Sequence, residues 1–79
     1  MILKVYTDGA CSNNGKLNAK AGFGVYFGKN DSRNISKRVI GKQTNNVAEL
    51  SAIIEVFSIL KDEINMYEKI IIYSDSRIA

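Results

Sequence analysis

The chain has 79 residues, 46% apolar and 24% charged, enough for one small domain, since a domain of this size buries only about 60% of its unfolded surface. It has no histidine, which excludes imidazole catalysis and histidine metal ligands, and a single cysteine, which excludes an intrachain disulfide. A net charge of +3 and a pI of about 9.1 tilt it toward anionic partners, and no apolar run approaches the ~18 residues of a membrane helix.

Residues 2 to 8 read as a strand with Ile2, Lys4, Tyr6 and Asp8 on one face and Leu3, Val5 and Thr7 on the other. Apolar residues on both faces predict a central strand covered on both sides. Residues 9 to 19 are rich in Gly, Asn and Ser and read as a polar loop. A second strand is expected over Ala21 to Phe27, a hairpin turn over Gly28 to Ser32, and a third strand over Asn34 to Ile40. The charged residues of that third strand suit a sheet edge. From Lys16 to Lys42 the basic residues have Asp31 as the one acid among them, which reads equally as a positive face suited to phosphate or as solvated lysines scattered over a meander.

Thr44 is placed to cap a helix. The spacing of Leu50, Ile53, Ile54, Phe57, Leu60 and Ile64 predicts its buried stripe, with Ser51, Glu55, Ser58, Lys61 and Asp62 on the wetter side. Residues 62 to 68 read as a loop and Lys69 to Asp75 as a last apolar strand. A meander of three strands, then helix and strand, predicts a fourth strand parallel to the first, in sheet order 3-2-1-4.

That topology brings three carboxylates toward one end of the sheet: Asp8 and Asp75 close their strands, and Glu49 lies in the opening turns of the helix. Clustered carboxylates repel unless a cation holds them, and hard oxygen donors favour Mg²⁺ or Mn²⁺. Taken singly, each acid also has a plain structural reading: turn former, helix-dipole partner and strand terminator.

The segments Tyr6 to Gly15, Gln43 to Leu50 and Ile70 to Ser76 together resemble ribonuclease H of type I, in the family's order across the whole chain. The resemblance implies an α/β fold with a mixed sheet and the helix packed on one of its faces. It implies hydrolysis of the RNA strand of RNA–DNA hybrids by two metal ions, with Asp8, Glu49 and Asp75 as ligands and 5′-phosphate and 3′-hydroxyl products. Asn14 and Asn45, with Gly9 and backbone around Cys11, match positions that contact the hybrid's minor groove, where 2′-hydroxyls mark the RNA. Thr44 and Asn46 match positions that receive a DNA phosphate, and Ser76 follows the last acid. Cys11 is not expected to act as a nucleophile, because no base partners it.

Three departures stand out. Val47 replaces a common arginine, the chain reads Arg77-Ile78-Ala79 after Ser76, and the family's fourth acid, late histidine, fifth strand and later helices have no counterpart. Residues 1–79 are therefore expected to be the amino-terminal part of such a domain, from a cytoplasmic protein. The alternative is a catalytically silent module that binds hybrid or double-stranded RNA. Another nuclease or integrase of the same broad fold fits Thr44 to Leu50 less well. The last strand, apolar on both faces, is expected at an uncovered edge where it invites self-association.

Overall fold

The structure, a computed structural model, describes residues 1–74. It contains strands β1 (Ile2–Ser12), β2 (Lys20–Tyr26) and β3 (Ile35–Arg38), helix α1 (Asn45–Ile59), a 3₁₀ turn at Ile64–Met66, and strand β4 (Lys69–Ser74). The strands form one mixed sheet in the order β3-β2-β1-β4. β1 pairs antiparallel with β2 and parallel with β4, from Ile2 opposite Lys69 to Thr7 opposite Ser74. The expected α/β fold, the strand order and the parallel last strand are all present.

β1 runs four residues past the expected end at Asp8. The Gly-Asn-Ser composition argued for a loop, but Ser12 finds a partner in Lys20 and Cys11 in Ala21, and this pairing outweighs local turn preference. The reversal is confined to residues 13–19, two successive turns in which Asn13 and Gly15 take φ of 55° and 82°, the Lys16 N–H donates to the Asn13 carbonyl at 3.0 Å and the Ala19 N–H to the Lys16 carbonyl at 3.2 Å. β3 is shorter than expected, although the Val39 N–H still donates to the Ala21 carbonyl at 2.9 Å beyond its end.

The core lies between α1 and one face of the sheet: Val5, Phe23, Val25 and Val39 meet Ala48, Ala52, Val56 and Leu60. Leu60 is fully buried, and its truncation to alanine costs roughly 2–5 kcal/mol. Leu60 is buried as expected, but the rest of the expected helix stripe is corrected. Leu50, Ile54 and Phe57 are 60%, 67% and 51% exposed, and Ile64 is exposed as well, whereas the row at 48, 52, 56 and 60 is buried. The reason is distance: alanines let the helix axis approach the sheet, which a row of leucine and isoleucine would hold off. Two residues expected on the wet side are half-buried instead. Glu55 pairs with Lys37 of β3 at 2.9 Å, and the Ser51 hydroxyl donates to the Val47 carbonyl at 2.6 Å.

β1 is central in the sheet as expected, and among the described residues it is covered on one face. Leu3, Val5 and Thr7 face the helix, while Ile2, Lys4, Tyr6 and Asp8 are exposed on a face that no described element covers. Thr7 is the buried polar residue of the described core, and its hydroxyl donates to the Tyr73 carbonyl at 3.4 Å, tying β1 to β4.

At the far end from Ser12, Arg33 locks the β2–β3 hairpin to the segment after α1. Its guanidinium donates to both Asp31 carboxylate oxygens at 3.0 and 2.8 Å, to Glu63 and to the Tyr67 hydroxyl at 3.0 Å, and lies 4.4 Å over the Phe27 ring. These bonds hold the Asp31 carboxyl at about 2, well below its ordinary value, and raise Arg33 further above its own.

Candidate active site

β1 and α1 meet at Gly9. A Cβ placed there would stand 2.8 Å from both the Ala48 carbonyl carbon and the Glu49 nitrogen, closer than real Cβ contacts allow. Glycine is therefore what lets the opening turns of α1 rest on the strand directly beside Asp8. Alternation along β1 turns Asp8 to the open face and Gly9 to the helix face, so the Asp8 carboxylate and the Glu49 backbone flank the same two residues of strand. Asp8 is exposed, sits opposite Gly24 of β2, and lines a cavity of roughly 680 Å³ with Tyr6, Tyr26, Ser36, Tyr73 and Ser74.

The third expected acid, Asp75, lies outside the described residues, as does Ser76. What the structure does place is the register leading to it, which ends with Ser74 opposite Thr7, one residue before Asp8. Among the described residues no three His, Cys, Asp or Glu side chains group closely enough to hold a metal ion. Asp8 and Glu49 both offer carboxylate oxygen, which suits a hard divalent cation, and the Gly9 contact sets the backbones that carry them against each other.

The residues expected to touch nucleic acid gather where the β1–β2 turn meets the start of α1. The side-chain oxygen of Asn14 accepts from the Asn45 backbone N–H at 3.2 Å, so these two positions, distant in sequence, are neighbours. Thr44 takes extended backbone angles, φ −138° and ψ 161°, and its Oγ1 accepts from the Val47 N–H at 3.1 Å. That is the expected cap, and it leaves the hydroxyl proton available to a ligand. Asn46 is exposed on the first turn. Cys11 is half-buried and its thiol donates to the Gln43 carbonyl at 3.4 Å, a structural contact.

Gln43 is a residue to which the sequence analysis gives no role of its own. Its Oε1 accepts from the Ala21 N–H at 2.6 Å, and its Nε2 donates to the Val39 and Gly41 carbonyls at 2.8 and 3.0 Å. One side chain thus fixes the strand-to-helix connection immediately before the Thr44 cap. Its partners include a strand 22 residues away, so no local pattern announces it.

The RNase H family model matches residues 2–79. The chain is similar to ribonuclease H1 of Mus musculus, 42% identical over 72 residues, which is 91% of this chain and 25% of the relative. It is similar to ribonuclease H of Clostridium botulinum, 38% identical over 72 residues, covering 91% of this chain and 46% of the relative. Ribonuclease H of Schizosaccharomyces pombe is 59% identical over 51 residues, 63% of this chain and 19% of the relative. The chain thus spans less than half the length of these relatives. The mixed sheet, the placement of Asp8 and Glu49 about Gly9, and the match along nearly every residue agree: this chain belongs to the ribonuclease H family.

Proposed function

We propose that the chain serves hydrolysis of the RNA strand of RNA–DNA hybrids, with Asp8, Glu49 and Asp75 as oxygen ligands for Mg²⁺ or, in its place, Mn²⁺. The observation that carries this reading is the Gly9 contact, which sets the strand of Asp8 against the helix turn of Glu49. When bound there, a pair of such ions supplies an activated water and stabilises the leaving 3′ oxygen, leaving 5′-phosphate and 3′-hydroxyl ends. The protein's own residues bind and orient. Asn14 and Asn45, tied to each other, address 2′-hydroxyls of the RNA strand. Thr44 and Asn46 at the start of α1 address a phosphate of the DNA strand, helped by the positive end of the helix. Gly9 and the backbone about Cys11 border the same groove, and Ser76 follows the last acid.

The second reading, a silent module that binds hybrid or double-stranded RNA, is favoured by the ready-made link between Asn14 and Asn45, which does not depend on any acid. Labelled hybrid incubated with this chain in Mg²⁺, Mn²⁺ or EDTA separates the two. Cleavage that EDTA stops and Asp8→Asn abolishes supports hydrolysis; binding without cleavage supports the silent module. Full activity of Asp8→Asn sinks the assignment of that carboxylate. We further propose a cytoplasmic protein that self-associates through the outer edge of β4, which pairs with β1 alone among the described strands.

A further inference from the structure

The ladder between β2 and β3 is completed, just past the end of β3, by a side chain. Register sets Gly22 opposite Arg38, so the next pair is Ala21 and Val39. A hydrogen-bonded pair in an antiparallel ladder exchanges two bonds, each N–H donating to the other's carbonyl. Here the Val39 N–H donates to the Ala21 carbonyl at 2.9 Å, but the return bond runs through Gln43. Gln43 Oε1 accepts from the Ala21 N–H at 2.6 Å, and Nε2 donates to the Val39 carbonyl at 2.8 Å. The second Nε2 proton goes to the carbonyl of Gly41, where a φ of 97° turns the connection back. A carboxamide carries an acceptor and two donors on one uncharged group, which is what this gap demands. The Gln43 main-chain carbonyl accepts from the Cys11 thiol at 3.4 Å. One residue thus grips β1, β2 and the end of β3, immediately before Thr44 and Asn45.

We propose that Gln43 is a positioning residue for hybrid recognition: its carboxamide, set into the β2–β3 ladder, holds Thr44 and Asn45 at a fixed place beside Asn14. The inference rests on the reading of those three residues as contacts to the two strands of a hybrid. Gln43 itself touches no nucleic acid, because both Nε2 protons are used inside the fold. Its effect passes to the two N–H groups that order the contacts. One is that of Asn45, which donates to Asn14 Oδ1 at 3.2 Å; the other is that of Val47, which donates to Thr44 Oγ1 at 3.1 Å. The Thr44 cap is a local bond that fixes where α1 begins along the chain. It does not fix where that beginning stands relative to the sheet, and the Gln43 bonds to β1 and β2 do. Contacts held at their working separation before binding bind more tightly, since the cost of ordering them is already met by the fold.

Gln43→Met keeps the length of the side chain and removes its strong donors and acceptor. Binding is read by fluorescence anisotropy in EDTA, with a labelled RNA–DNA hybrid and a DNA duplex of the same sequence. Gln43→Met should weaken hybrid binding on the order of threefold to tenfold, the range for one lost hydrogen bond, and duplex DNA less. Tyr67→Phe is the control for lost stability, because it removes a hydroxyl bonded to Arg33 and Glu63 at the far end of the β2–β3 hairpin. It should lower the melting temperature and leave hybrid binding unchanged. In an Asn45→Ala background the loss from Gln43→Met should shrink, since a side chain that it positions is gone; a general loss of stability would add in full. Amide exchange supplies a readout without nucleic acid. The Asn45 and Val47 N–H groups should exchange faster in Gln43→Met, while the Phe27 N–H, which donates to Asn34 at 2.7 Å, should not change. Parent-like hybrid binding in Gln43→Met, full additivity with Asn45→Ala, or unchanged exchange at Asn45 and Val47 overturns the inference. A parent chain that binds no hybrid sinks the recognition reading instead, and amide exchange then decides by itself whether Gln43 positions these groups.

Discussion

The side-chain oxygen of Asn14 accepts a hydrogen bond from the backbone N–H of Asn45 at 3.2 Å, joining the β1–β2 turn to the first turn of α1. The bond uses the side chain of one residue and the backbone of the other, so the two can be separated by mutation. Asn45→Ala keeps the link and removes only the Asn45 amide. It should weaken binding to hybrid severalfold and to duplex DNA less, because the contact proposed for it is to a 2′-hydroxyl. Asn14→Ala breaks the link and should cost about 0.5–1.5 kcal/mol of stability in addition. Equal weakening on hybrid and duplex DNA for Asn45→Ala would leave Asn45 a structural role alone.

Gly9→Ala should be far more damaging than Gly24→Ala. The added carbon at Gly9 meets backbone atoms of Ala48 and Glu49 at 2.8 Å, and neither can rotate away. The helix must then shift, at a cost of roughly 1–3 kcal/mol typical of overpacking. At Gly24 the nearest atom is the Ile35 carbonyl oxygen at 3.5 Å, an ordinary contact. Thermal melting should show a clear loss for the first and little change for the second. Calorimetric titration with Mn²⁺ should show weaker binding for Gly9→Ala, because the turn that carries Glu49 has moved from Asp8. Equal melting of the two variants would contradict the close approach.

How far these features can be read from sequence depends on the range of the interactions behind them. Strand order, the parallel return and the Thr44 cap follow from local signals, namely alternation, connection type and one hydroxyl before an apolar run. The extension of β1 to Ser12 does not, because it is decided by pairing with β2 against local turn chemistry. The buried helix face, Leu60 apart, differs from the expected one for a related reason. α1 is apolar on two sides, and periodicity cannot say which side meets the sheet; the Gly9 contact decides it for Ala48, and Ala52 is buried on the same side. Asp8 and Glu49 were legible as types at element ends, but their common neighbour was not.

Acid should weaken the Arg33 clamp through Asp31. The Asp31 carboxyl sits at about 2 in the folded chain against an ordinary 3.8, so between those values the folded state binds fewer protons than the unfolded one. Its contribution is therefore complete above about pH 4 and is lost as pH falls toward 2. Melting curves of the parent and Asp31→Asn should differ near neutral pH and converge in this window. Glu63 and Tyr67 remain on Arg33 in the variant, so the hairpin should stay docked. A difference between the two that persists unchanged down to pH 2 would mean that the Asp31 charge is not what stabilises the clamp.

Self-association through β4 gives the sharpest test of the sheet's edge. β4 lies last in the order, and Ile70, Ile71 and Ile72 keep its middle free of charge. An uncharged edge of this kind pairs with another chain, which a charge or a short strand would discourage. Sedimentation at ~100 µM should therefore show a dimer or larger species, given the modest affinity of a single added strand. The choice of variant follows from register. Ile71 is opposite Lys4 of β1, so Ile71→Lys sets two like charges side by side and should lower the melting temperature as well as dissociate the assembly. Ile71→Glu places a carboxylate against Lys4 instead, and should give monomer with a smaller loss of stability. A parent chain that is already monomeric at this concentration, or an Ile71→Glu variant that still associates, rules out pairing through this edge.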